Sequence, residues 1–189
     1  MMDFSSIPPE ALKQVMEGAA GRAAHALGEI LGCPVEIALD SVRVLTRAQY
    51  QALIAEENDR SGATILIKFS GGLSGSAYFL VLGDNVQQII QILSEQDPDL
   101  VEGAGGVGAI LAEIGNVVLN GYVGTIVNQM GLHVVYEAPQ ILARAEAYDT
   151  RPLLTGAHAL QFQVFTNRLS LAGREIIVYI LLSLRQTAA

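Results

Sequence analysis

Apolar residues recur at helical spacing in two long windows of this chain and alternate with period two in the segments that follow each. Leu12 and Val15 belong to a helix predicted over Pro9–Leu31, opened by a proline where the missing N–H costs nothing. Leu111, Ile114 and Val118 share one face of a second helix, predicted over Gly108–Met130. Ile65–Ser70 and Ser74–Leu82 alternate around Gly71-Gly72 and predict a hairpin. Gln161–Leu169 and Ile176–Leu184 predict another, turning near Ala172-Gly173, with Ile176–Leu184 as a final strand whose edge is open to pairing. Val35–Leu39, Val42–Leu45 and His133–Ala138 read as extended, and Arg47–Asn58 as helical with Glu56, Glu57, Asp59 and Arg60 solvating its end. Asp84–Leu93 reads as a helix with Asp84 as its N-cap.

The pattern is written twice. A shift of 99 residues lays Leu12 on Leu111, Val15 on Ile114, Gly32 on Gly131 and Val35 on Val134. Each half then runs helix, strand, variable connection, hairpin. With no Pro/Ser-rich linker between them, the halves predict a single pseudo-twofold α/β (α+β) domain over residues 1–189. Its repeats span about 8–83 and 107–184, with an antiparallel sheet packed against long helices.

Composition narrows the function. A chain of 189 residues buries enough surface to fold without staples, and the lone Cys33 excludes a disulfide framework. Net charge is −8, with Lys13 and Lys68 the only lysines, which argues against nucleic acid and anionic membrane as partners. No signal peptide opens the chain, and the apolar run Ile176–Leu182 falls short of a bilayer span of roughly 20 residues, so a soluble cytoplasmic protein is expected. Gly103–Gly108 satisfies G-x-G-x-x-G but lacks the preceding strand and following acid of a dinucleotide site. His25, His133 and His158 have no metal-site spacing, and Ser70, Ser74 and Ser76 read as turn residues. Neither a metal nor a cofactor of its own is expected.

Chemistry concentrates on the second long helix. Ala109, Glu113, Asn116 and Asn120 fall within an arc of roughly 60° opposite Leu111, Ile114 and Val118. A carboxylate and a carboxamide three residues apart can act on one partner, although the same pair also suits a merely solvated face. Gly115, Gly121 and Gly124 each cost about 1 kcal/mol in a helix interior, which suggests close approach by a backbone or a partner.

The stretch Ala109–Pro139 resembles the phosphatase signature of the CheC/CheX/FliY family of bacterial chemotaxis proteins: serine or aspartate, then E-x-x-N, then proline after twenty-two residues. Glu113, Asn116 and Pro139 match, as do the flanks E-I-G-N-V-V-L-N-G-Y-V-G and A-P-Q-I-L; the duplicated layout is similar to CheC in particular. The resemblance implies hydrolysis of the phospho-aspartate of a CheY-like receiver domain. Asn116 would orient the attacking water, Glu113 would grip a receiver lysine, and Mg²⁺ would sit in the receiver. Pro139 would shape the strand after the helix. Ala109 departs from the signature, and Asn120 is the polar neighbour that could stand in for it. The first-half counterpart is degraded, with Glu10, Gln14 and Glu17 on the stripe and Asp40 at the proline position, so one working site is implied. The second reading is a binding module for a receiver or a CheD-like deamidase. A third is a flagellar-switch component resembling FliY, which the lack of an attached switch-binding domain disfavours.

Overall fold

Local chemistry opens and closes the elements. The computed structural model describes residues 9–46, 48–49, 52, 62–82, 84–99, 106–142 and 161–185. Helix α1 (Pro9–Leu31) starts at its proline and stops before Gly32; helix α3 (Gly106–Gln129) stops just before Gly131. These two glycines, ninety-nine residues apart, share nearly the same left-handed φ, +64° and +63°, the conformation that ends a helix at little cost only for glycine. Between α1 and α3 come strands β1 (Val35–Thr46), β2 (Ala63–Gly71) and β3 (Ser74–Val81), then helix α2 (Asn85–Gln96). After α3 come the short β4 (Val134–Tyr136) and β5 (Gln140–Leu142), then the long hairpin β6 (Gln161–Leu171) and β7 (Arg174–Arg185).

Asp84 does not cap α2 with its side chain. Its backbone is already helical, its carbonyl accepts from the Gln88 N–H at 2.9 Å, and Asn85 Nδ2 ties the turn to the Leu82 carbonyl. The helix expected over Arg47–Asn58 lies outside the described residues, except for Ala48, Gln49 and Ala52, which are helical. Thr46 and Gln49 frame its start reciprocally: Gln49 Oε1 accepts from the Thr46 N–H at 2.8 Å, and Thr46 Oγ1 accepts from the Gln49 N–H at 3.3 Å.

Among the described residues, one antiparallel sheet of seven strands runs in the order β1-β6-β7-β3-β2-β4, with β5 also on β2. The order is symmetric about the β7–β3 pair and interlocks the halves. Strand β1 pairs with the hairpin of the second half, and β4 and β5 pair with the hairpin of the first. The final strand β7 is therefore central, flanked by β6 and β3, and not the open edge expected from the sequence. Val35–Leu39 and Val42–Leu45 form one strand whose register slips between Leu39 and Ser41, leaving Asp40 at a bulge. The strand expected over His133–Ala138 is present as the shorter β4, and β5 lies beyond it. β4 and β5 both pair with β2, but in registers one residue apart, and 137–139 lie between them. Pro139, with no N–H to give to a ladder, sits in that break.

Helices α1, α2 and α3 cover one sheet face. Met16, Ala19, Leu27, Ile89, Ile114, Leu119 and Tyr122 pack there on Ile65, Ile67, Phe79, Phe165, Val178 and Ile180. Period-two alternation sends Leu66, Tyr78, Leu80, Phe162, Val164 and Leu181 to a second apolar cluster on the opposite face. Helix α3 is long and apolar enough to cross a bilayer, with a mean hydropathy of 1.4, yet ten of its residues, Leu111 and Val118 among them, are buried inside the domain. Core membership accounts for its composition.

Candidate functional site

The apolar stripe of α3 fixes which way its polar stripe faces. Leu111, Ile114, Val118 and Tyr122 are buried, so Ala109 and Glu113 stand exposed and Asn116 and Asn120 half-buried on the outer side. Glu113 and Asn116 are neighbours on that surface, with Cβ atoms roughly 5–6 Å apart as i and i+3 require. Asn120, one turn further on, donates from Nδ2 to Asn116 Oδ1 at 3.0 Å. Asn116 keeps both amide hydrogens and the second lone pair of its carbonyl for a ligand. Asn120 Oδ1 is buried and has no hydrogen-bond partner.

Two elements flank the helix. The small residues of α1 approach one side so closely that a Cβ on Gly121 would lie 3.2 Å from Ala23 Cβ. Arg22 Nη2 donates across the same seam to Thr125 Oγ1. On another side the β4 and β5 strands lean in: a Cβ on Gly108 would meet Ile141 Cδ1 at 3.4 Å, and one on Gly124 would lie 3.7 Å from Tyr136 Oη. Tyr136 thus reaches the end of the polar stripe, and burial pushes its phenol pKa up. The sequence did not single it out, because a three-residue strand has too little alternation to show which way its tyrosine turns. The glycines of α3 serve the packing inside the domain. A Cβ on Gly115 would come within 2.8 Å of Ile65 Cβ on β2, so the sheet itself accounts for that glycine.

The stripe on α1 has a different character. Glu10, Gln14 and Glu17 are exposed, and Glu17 lies 3.9 Å from Lys13 Nζ. Asp40, at the position matching Pro139, accepts from Arg168 Nε through both carboxylate oxygens, at 2.9 and 3.1 Å. Both positions sit at a register slip, one filled by an ion-paired aspartate and the other by proline. Among the described residues no group of three or more His, Cys, Asp or Glu side chains is placed to hold a metal ion. His25 Nε2 lies 3.7 Å from Glu29 Oε1 on the exposed side of α1, His133 is exposed before β4, and His158 lies outside the described residues. Residues 103–105 of the Gly103–Gly108 pattern also lie outside them, and Gly106 and Gly108 form the first turn of α3. Cys33 is buried and free, and desolvation raises its thiol pKa.

No protein-family model matches the sequence. The fold does match solved structures. FliY from Thermotoga maritima superposes with a TM-score of 0.68 at 14% identity, over 94% of this chain and 92% of that one. The FliM middle domain from H. pylori, a protein also solved in complex with FliG, gives 0.62 at 11%, over 93% and 92%. The structure of CheX from Borrelia burgdorferi in complex with CheY, BeF3 and Mg gives 0.50 at 15%, over 92% and 99%. This chain therefore has the mixed α+β fold that FliY, the FliM middle domain and CheX share.

Proposed function

We propose that this protein is a phosphatase for the phospho-aspartate of a CheY-like receiver domain in chemotaxis signalling, working in the cytoplasm. The observation that carries the reading is the α3 stripe: an exposed Glu113 beside an Asn116 amide whose carbonyl is already held by Asn120. Phosphoryl transfer asks a protein mainly for positioning and charge stabilisation, and one fixed amide can hold a water in line with the phosphorus. Glu113 supplies a carboxylate for a receiver lysine, and Mg²⁺ is the receiver's own. The fold shared with CheX, a protein solved with CheY bound, supports a receiver as the partner.

The test is phosphate release from a phosphorylated receiver in Mg²⁺. Added protein accelerates release, and Asn116→Ala removes the acceleration, about 100-fold if the amide supplies roughly 2.7 kcal/mol. Equal rates for wild type and Asn116→Ala would sink the reading. A non-catalytic adaptor for a receiver or a CheD-like deamidase is the second reading. It is favoured by the methyl group of Ala109 at the head of the stripe, and by the fold shared with FliM, a protein solved in complex with FliG and also with SpeE. Binding that depends on receiver phosphorylation but leaves phosphate lifetime unchanged would select it.

A further inference from the structure

Among the described residues, the hydrogen bond to the Glu113–Asn116 pair comes from Asn120. Its geometry is specific. The two amides are one helical turn apart on the same stripe, and Nδ2 of Asn120 lies 3.0 Å from Oδ1 of Asn116. Asn120 is poorly served by its own surroundings, since its Oδ1 is buried without a partner. A position that only needed filling would be better occupied by alanine, which has higher helix propensity and brings no orphan acceptor. The arrangement costs the helix stability and fixes a neighbour.

We propose that Asn120 is the positioning residue of the site. Resting on the reading of Asn116 as the water-orienting group, the inference is that Asn120 selects one rotamer and one of the two amide orientations of Asn116. An unrestrained surface asparagine turns about two torsions, and its amide can present either end. Held by its carbonyl, Asn116 keeps both N–H groups and one carbonyl lone pair turned to the partner. It can then accept from a water and donate to a phosphoryl oxygen at once. Asn120 touches neither the water nor the phosphoryl group and acts through Asn116 alone.

Two variants and two readouts test this. Asn120→Ala removes the bond; Asn120→Asp keeps the shape, but an ionised carboxylate only accepts, so the bond re-forms only when Asn116 turns its Nδ2 inward. With a phosphorylated receiver, both variants lower kcat about tenfold, the size of effect one hydrogen bond carries, while KM stays within about twofold. By NMR relaxation, the side-chain amide of Asn116 is ordered in wild type, mobile in Asn120→Ala and ordered again in Asn120→Asp. Equal Asn116 mobility in wild type and Asn120→Ala overturns the inference. So does wild-type kcat in both variants where Asn116→Ala is inactive. If Asn116→Ala matches wild type, the phosphatase reading fails, and the mobility measurement still decides whether Asn120 orders Asn116.

Discussion

Glycines on helices carry opposite consequences depending on what lies against them. Gly115 is pressed on β2, where a methyl group would meet Ile65 Cβ at 2.8 Å and both its γ carbons at 3.0 Å. The helix-propensity gain of about 1 kcal/mol is outweighed by overpacking of about 1–3 kcal/mol. Gly115→Ala is therefore expected to lower the denaturant midpoint. Gly21 lies on the exposed face of α1 with nothing within 4 Å of a Cβ, so Gly21→Ala is expected to raise stability by about 0.5–1 kcal/mol. Urea titrations of the two variants check the signs; equal shifts would show that the close approach at Gly115 does not exist in solution.

Helix α3 and strand β6 are joined across the core by a polar link. Tyr122 Oη donates to Asn167 Oδ1 at 2.5 Å, Asn167 Nδ2 donates to the Phe165 carbonyl at 3.1 Å, and the rings of Tyr122 and Phe165 meet edge to face at 5.7 Å. Tyr122→Phe leaves a fully buried carboxamide oxygen without its donor and is expected to cost about 1–3 kcal/mol. The link also sets a pH dependence. Desolvation holds the Tyr122 pKa well above its ordinary value of 10.0. Below pH 10 the folded and unfolded phenol are both protonated and nothing changes. Above it the unfolded phenol ionises while the buried one keeps its proton, so stability falls by up to about 1.4 kcal/mol per pH unit. Urea midpoints measured from pH 9 to 11.5 should drop more steeply for wild type than for Tyr122→Phe. Parallel curves would show that Tyr122 ionises as freely in the fold as outside it.

At the scale of the molecule, the interlocked sheet removes the option of unfolding half by half. β1 depends on β6, β2 on β4 and β5, and the two hairpins meet along β3–β7. One cooperative transition is expected, with far-ultraviolet circular dichroism and the near-ultraviolet tyrosine signal changing together in urea. Two separated transitions would contradict the interlocking.

The sequence by itself determined the local elements and the direction of the polar stripe. Periods of 3.6 and 2.0 are local properties, readable from Leu111, Ile114 and Val118 or from Ile65–Ser70, and burying one side of a helix turns Glu113 and Asn116 outward. A proline marked the start of α1 for an equally local reason, since the N–H that Pro9 lacks has no partner in the first turn. The rest was decided by contacts between distant residues, which carry no local signature. Strand order is one case: nothing in Ile176–Leu184 distinguishes a central strand from an edge strand until β3 lies beside it. The break at Pro139 is visible as a missing donor, but its register slip against β2, matching the bulge at Asp40, exists only in the assembled sheet. Gly115 read as room for a backbone or a partner, and it is the side chain of Ile65 on β2 that fills it. Asn120 read as a polar neighbour that could stand in for Ala109; the fold sets it half-buried beside Asn116, with its Nδ2 bonded and its Oδ1 left without a partner.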